Sequence, residues 1–261
     1  MAPIRKGDGT ALEIPGVSEV RSGDGRVFFE GDAIPDSVEA HLTHWYPVDE
    51  GETATLGETL SSDERDLDIN GPNWVSDSDL LSGWKLDHNG VDDHMISQDE
   101  FGVNDMEFSA CIWWYQEEGD DFDDELLSAT NVDYGDRDDG WFLNRVNADR
   151  LNYQHVTNDD SNSTAEIDVS NAFENEAWYF AAIAMNGDNG SVYAWDSDGF
   201  IDSESGSGSR GSIGDDSTLV VGSRMNDQNH MGGYITSFGL TVGTELSQSD
   251  FDEIWEETKP E

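Results

Sequence analysis

Apolar and polar residues alternate along most of this chain, and the alternation predicts strands. The plainest case is Met106–Tyr115, where Phe108, Ala110, Ile112 and Trp114 fall on one face at period two. Glu125–Thr130, Gly140–Val146, Arg150–His155 and Ser191–Trp195 read the same way. Trp178–Met185 is apolar without a break, as in a central strand buried on both faces. His41–Tyr46 is expected to be a strand anchored by Leu42 and Trp45, and short strands are expected around Leu67, Ile69 and Trp74–Val75. Trp84–Asp87 and His94–Ile96, joined through Asn89-Gly90, predict a hairpin. Val220-Val221 and the alternating run Tyr234, Thr236, Phe238 and Leu240 predict a closing hairpin around a polar loop. Ser203–Gly214 reads as a Gly/Ser loop.

One stretch carries helical spacing. Phe251, Ile254 and Trp255 stand at i, i+3 and i+4, behind Ser249 as a capping residue and acids in the first turn. Many short strands separated by turn residues, with one terminal helix, predict an all-β sandwich or jelly roll. The first 40 residues stand apart. They hold Arg5, Lys6, Arg21 and Arg26 of the chain's 12 basic residues, and two Gly-Asp-Gly turns (7–9 and 23–25) that predict small hairpins. We therefore expect an extended docking or oligomerisation arm over 1–40 and a sandwich over 41–261. The arm would order on a partner protein or on a sister subunit.

Charge changes the picture next. The 261 residues carry 58 Asp+Glu against 12 Lys+Arg, a formal net charge of −46. That balance repels nucleic acid and anionic membrane surfaces. Disorder is the competing explanation, but nine Trp, eleven Phe and seven Tyr are core-building residues. An acidic, hydrated surface suited to molar salt fits both facts, because the Debye length there is about 3 Å and carboxylate repulsion is screened. The expected setting is halophilic. The single Cys111 lies in an apolar run and reads as a small core residue, with no intrachain disulfide. No stretch reaches membrane-spanning length, and the N-terminus lacks the apolar core of a secretory signal.

The order of motifs resembles the laminin-G-like branch of the concanavalin-A-like lectin/glucanase superfamily, as found in viral tail and capsid-surface adhesion proteins. The residues that carry the resemblance are Trp84–Ile96, Phe108–Trp114, Glu176–Ala184 with the following hairpin, Gly222-Ser223 with Gly233-Tyr234-Ile235, and Leu246–Trp255. Thr236 departs from the pattern, since the family usually places an Asp there. Residues 10–40 also look like the N-terminal lead of halovirus structural proteins. The resemblance implies a concanavalin-A-like jelly-roll β-sandwich with an N-terminal extended arm and a short C-terminal helix. It further implies a virion-surface protein that attaches to host glycans or glycoproteins, as a homo-oligomer.

Glu166-Ile167-Asp168 begins the acid pattern of the glucanase branch, but Ser170 and Asn171 stand where its third acid would be. We therefore expect a binding protein and not an enzyme. The alternatives are a ligand-free decoration subunit or a glycoside hydrolase. Rim loops of this fold supply oxygen ligands for calcium, and Asp87, Asn89 and Asp92 are the metal candidates. Trp141, Tyr153 and the loop Asn226, Asp227, Gln228, Asn229 and His230 are the candidates for sugar or receptor contact, through ring stacking and amide hydrogen bonds.

Overall fold

The computed structural model describes residues 19–21, 27–29, 34–51, 53–61, 65–97, 101, 107–117, 124–131, 140–146, 150–156, 166–170, 173–174, 176–207, 217–223 and 230–260. The chain divides into two units, residues 1–35 and 36–261. In the first, β1 (Glu19–Arg21) and β2 (Val27–Phe29) pair antiparallel. Both Gly-Asp-Gly segments, 7–9 and 23–25, lie outside the described residues.

The second unit is a sandwich of two antiparallel sheets. Before it come α1 (Asp36–His41) and β3 (His44–Tyr46). The remaining strands are β4 (Thr55–Leu56), β5 (Leu67–Asn70), β6 (Asn73–Ser76), β7 (Trp84–Asn89), β8 (His94–Ser97), β9 (Phe108–Gln116), β10 (Asp124–Asn131), β11 (Gly140–Val146), β12 (Arg150–Val156), β13 (Glu166–Ser170), β14 (Ala177–Asn186), β15 (Asn189–Trp195), β16 (Phe200–Ser207), β17 (Ser217–Val221) and β18 (Gly232–Val242). One sheet runs β13-β12-β11-β10-β17-β8-β5-β4; the other runs β16-β15-β14-β9-β18-β7-β6, with β3 added beside β18. The α2 helix (Gln248–Thr258) closes the chain.

The core follows from the pleat. Phe108, Ala110, Ile112 and Trp114 all point between the sheets, as their alternation predicts. They meet Trp141, Leu143, Leu151 and Tyr153 from the facing sheet. β14 is buried on both faces because the second sheet has cover on its outside as well. That cover is α2. Phe251, Ile254 and Trp255 are buried, as the i, i+3, i+4 spacing predicts. Phe251 packs on Trp195 and Tyr193. Thr258 Oγ1 accepts from the indole of Trp113 at 2.9 Å, and Asp252 Oδ1 accepts from that of Trp195 at 2.8 Å. The helix cap is Ser247, two residues ahead of the expected Ser249, in a reciprocal capping box with Asp250. Cys111 is fully buried, and burial pushes its thiol well above the ordinary range.

Several expected pairings are not formed. The two strands of the expected closing hairpin lie in different sheets: β17 pairs with β10 and β8, while β18 pairs with β9, β7 and β3. Likewise β7 and β8 straddle the sandwich instead of pairing across Asn89-Gly90. In both places a turn signal marks a crossing from one sheet to the other. The expected strand from His41 begins only at His44, because residues 36–41 form α1, held to α2 by Ser37, whose backbone N–H and hydroxyl both donate to Glu257. The expected Gly/Ser loop is a strand as far as Ser207, on the exposed edge of its sheet, where small polar residues suffice.

Candidate functional site

The site starts from the outward face of the second sheet. On β9 the outward residues are Cys111, Trp113 and Tyr115; on β14 they include Trp178 and Phe180. Antiparallel register sets Trp113 opposite Phe180 and Tyr115 opposite Trp178. The α2 helix covers the first pair. It has 11 residues, so at about 1.5 Å per residue it cannot cover the whole strand length. The second pair stays partly exposed. On the other side of β9, Tyr234 of β18 pairs with Tyr115, and Asp87 of β7 pairs with Tyr234. Asp87, Tyr234, Tyr115 and Trp178 thus form one row across four strands.

The three rings make a continuous floor. Tyr115 and Trp178 have centroids 5.4 Å apart at 65°, and Tyr115 and Tyr234 are 5.6 Å apart at 52°. Gly233 lets β18 approach β9 here: its φ is +104°, and a Cβ would lie 2.3 Å from the Tyr115 carbonyl oxygen. Lys85 stands two residues before Asp87, and its Nζ lies 4.1 Å from the Tyr234 ring centroid and 2.8 Å from Asp77 Oδ2. Glu117 and Glu176 bound the remaining side. Glu176 holds a left-handed backbone, φ +60°, and its N–H donates to the Gln116 carbonyl at 2.7 Å. A non-glycine residue there carries on the order of 1 kcal/mol of strain. Together Asp77, Lys85, Tyr115, Glu117, Glu176, Trp178 and Tyr234 enclose an open cleft of about 620 Å³, a size suited to a small ligand.

Electrostatics fix the protonation of the floor. Burial, the hydrogen bond to Glu117 and the nearby charges of Glu117 and Asp87 push the Tyr234 phenol up to about 12. Burial, Glu176 and Glu117 also raise Tyr115. Both hydroxyls therefore stay protonated. The hydrogen bond from Lys85 holds Asp77 below the usual carboxylate range. The cleft offers ring faces for apolar C–H surfaces, carboxylate acceptors for hydroxyl or amine donors, and phenol donors.

The residues singled out by sequence lie elsewhere. Trp141 and Tyr153 are fully buried in the core, which removes them as sugar platforms. The pleat explains it: Trp141 and Leu143 share the inward face of β11, and Tyr153 is in register with Leu143. Trp141 stacks on Phe108 at 5.1 Å. Asn226, Asp227, Gln228 and Asn229 lie outside the described residues. His230 sits with its ring 6.3 Å from that of His94. Asn89 and Asp92 share the β7–β8 turn, with Asn89 Nδ2 donating to Asp92 Oδ1 at 2.8 Å and Asn89 Oδ1 accepting from the Val91 and Asp92 amides. Asp87 is on the strand, beside the cleft. Among the described residues no group of three or more His, Cys, Asp or Glu side chains is placed to hold a metal ion. Glu166 and Asp168 lie on β13 opposite Gln154 and Asn152.

Comparison with known proteins supports the fold. No protein-family model and no curated protein matches the sequence. Solved structures do match by shape. The botulinum neurotoxin serotype D binding domain shares 15% identity at a TM-score of 0.56, over 85% of this chain and 53% of that one. Domain 4 of an extracellular arabinanase from Geobacillus stearothermophilus, solved with arabinotriose, shares 11% identity at a TM-score of 0.57, over 82% of this chain and 98% of that one. The bacteriophage CBA120 tailspike protein 2 shares 12% identity at 0.54, over 74% of this chain and 30% of that one. The chain spans about half the length of the neurotoxin domain. It shares the β-sandwich fold of these structures.

Proposed function

We propose that this chain is a glycan-binding domain and that the cleft floored by Tyr115, Trp178 and Tyr234 is its sugar site. One observation carries the reading: three partly exposed rings, brought into one row by strand register, stand beside carboxylates where α2 stops covering the sheet. Rings of this kind stack on the C–H faces of sugars, and acceptors and donors at the edge pair with their hydroxyls. A sandwich of similar shape holds arabinotriose, and another forms part of a phage tailspike. The first of these supports a binding role over a purely decorative one.

In the fuller form of the proposal, the sandwich is displayed on the surface of a halophilic virus and attaches it to host glycans. The arm of residues 1–40 docks on the particle, the protein assembles as a homo-oligomer, and the domain turns over no substrate. Calcium in the Asp87, Asn89 and Asp92 region belongs to the same reading.

A glycan array probed with the full chain in molar salt tests the core of it. Specific binding that is lost in Trp178→Ala and Tyr115→Ala, with the fold intact by circular dichroism, is the expected result. Binding that survives both substitutions would move the site elsewhere. Release of reducing ends from a bound glycan would make the protein an enzyme.

A further inference from the structure

The cleft is unbalanced in charge, and the imbalance says what kind of glycan it prefers. Among the described residues its one cation is Lys85, already matched by Asp77 at 2.8 Å. Glu117 and Glu176 line the same cleft, and among the described residues neither has a basic partner. Both carboxylates line the cleft together with Tyr115 and Trp178, and their negative charge helps raise the Tyr115 phenol. The protein's own ammonium shows how the floor treats a cation: Lys85 Nζ sits 4.1 Å from the Tyr234 centroid, within cation–π range. The Tyr115 and Trp178 faces have no such occupant among the described residues. Two carboxylates beside open ring faces form a box for a second positive group.

Resting on the glycan reading above, we propose that the cleft selects glycans bearing free, protonated amines, and rejects anionic ones. An ammonium substituent would lie against Tyr115 and Trp178 and accept the charge of Glu117 and Glu176, while the pyranose C–H face stacks on the rings. Uronic or sialic carboxylates would face those two acids with only an already paired Lys85 to meet them. Close contact in a partly desolvated cleft keeps much of this preference in molar salt, where long-range attraction is screened.

The test compares three probes of equal length by calorimetry on the full chain in molar potassium chloride: glucosamine oligomers, their N-acetylated counterparts and oligouronates. The expected result is binding of the glucosamine oligomer about tenfold or more tighter than the acetylated one, with no detectable binding of the uronate. The double variant Glu117→Gln/Glu176→Gln should erase that preference while still binding the acetylated probe, and Trp178→Ala should weaken both. Equal or tighter binding of the acetylated probe, or a preference that survives the double variant, would overturn the inference. In that case a neutral probe that still depends on Trp178 would leave the parent reading standing. Failure of every neutral and amine-bearing glycan to bind would remove both.

Discussion

Arg145 Nη2 lies 2.6 Å from Asp124 Oδ2, with both side chains withdrawn from solvent on neighbouring strands. Register puts Arg145 opposite Leu151, at the end of the apolar layer between the sheets. Two charges in such a place are costly unless matched, and removing Asp124 takes away a close partner of the buried guanidinium. Asp124→Ala should therefore lower stability by about 3–5 kcal/mol. The double variant Asp124→Leu/Arg145→Met should recover most of that loss, because an apolar pair of similar volume needs no desolvation. Denaturant midpoints at fixed salt measure both. A double variant no better than Asp124→Ala would show that the arginine has a further essential role.

The cleft and the core make opposite predictions for tryptophan. Trp178 is partly exposed on the outward face, so Trp178→Ala should cost about 1 kcal/mol or less of stability and most of the glycan affinity. Trp141 is fully buried and stacked on Phe108, so Trp141→Ala should cost about 3–5 kcal/mol. Thermal melts and binding isotherms on the two variants separate these outcomes. Loss of affinity in a still-folded Trp141→Ala protein would restore Trp141 to the binding site.

Patterns within single strands were legible. Phe108, Ala110, Ile112 and Trp114 alternate because one face of β9 is core, and Phe251, Ile254 and Trp255 recur because one face of α2 is buried. Sheet membership was not. Asn89-Gly90 and Gly222-Ser223 announce turns, but a turn signal does not say whether the next strand pairs back or crosses the sandwich. At Gly222 tertiary packing decides: its φ is +82°, and a Cβ would lie 2.6 Å from the His88 ring. The cleft was harder still. Positions 115, 178 and 234 share no local motif and become neighbours only through the registers of β18, β9 and β14. A faint signal existed in the aromatics on the face of β9 and β14 opposite the core (Trp113, Tyr115, Trp178 and Phe180), two more than one helix end could cover.

His88 gives the fold a defined response to acid. Its ring is buried, and burial first, then the charges of His94 and His230, lower its pKa from 6.5 to about 3. The unfolded chain takes up a proton below about 6.5 that the folded chain refuses until about 3. Stability therefore falls as pH drops through that window, by up to about 1.4 kcal/mol per pH unit from this group. Asp93 acts in the opposite sense, since burial raises its pKa and the folded state holds its proton more tightly. Denaturant midpoints measured from pH 7.5 to 4.5 should decline, and His88→Leu should flatten the decline. An unchanged slope in that variant would assign the acid response to other groups.

Thr236 stands where the resemblance noted in the sequence leads to the expectation of an Asp. It lies in the bulge between Ile235 and Ser237 and is buried. Its hydroxyl donates to the Trp84 carbonyl at 3.2 Å and sits 3.3 Å from the Ser82 hydroxyl. Thr236→Val keeps the shape and should cost about 1 kcal/mol, one hydrogen bond with its acceptor left behind. Thr236→Asp places an acceptor-only carboxylate against the Trp84 carbonyl, where Lys85, the next residue along β7, is held by Asp77. It should cost more, about 2–4 kcal/mol at neutral pH, and part of the loss should return on acidification as the new carboxyl gains the proton it needs to donate. If the hydroxyl serves the fold alone, added calcium will leave the melting temperature of Thr236→Asp unchanged. A calcium-dependent rise in that variant would instead show that the bulge still has the geometry of a metal site, with only the acid missing.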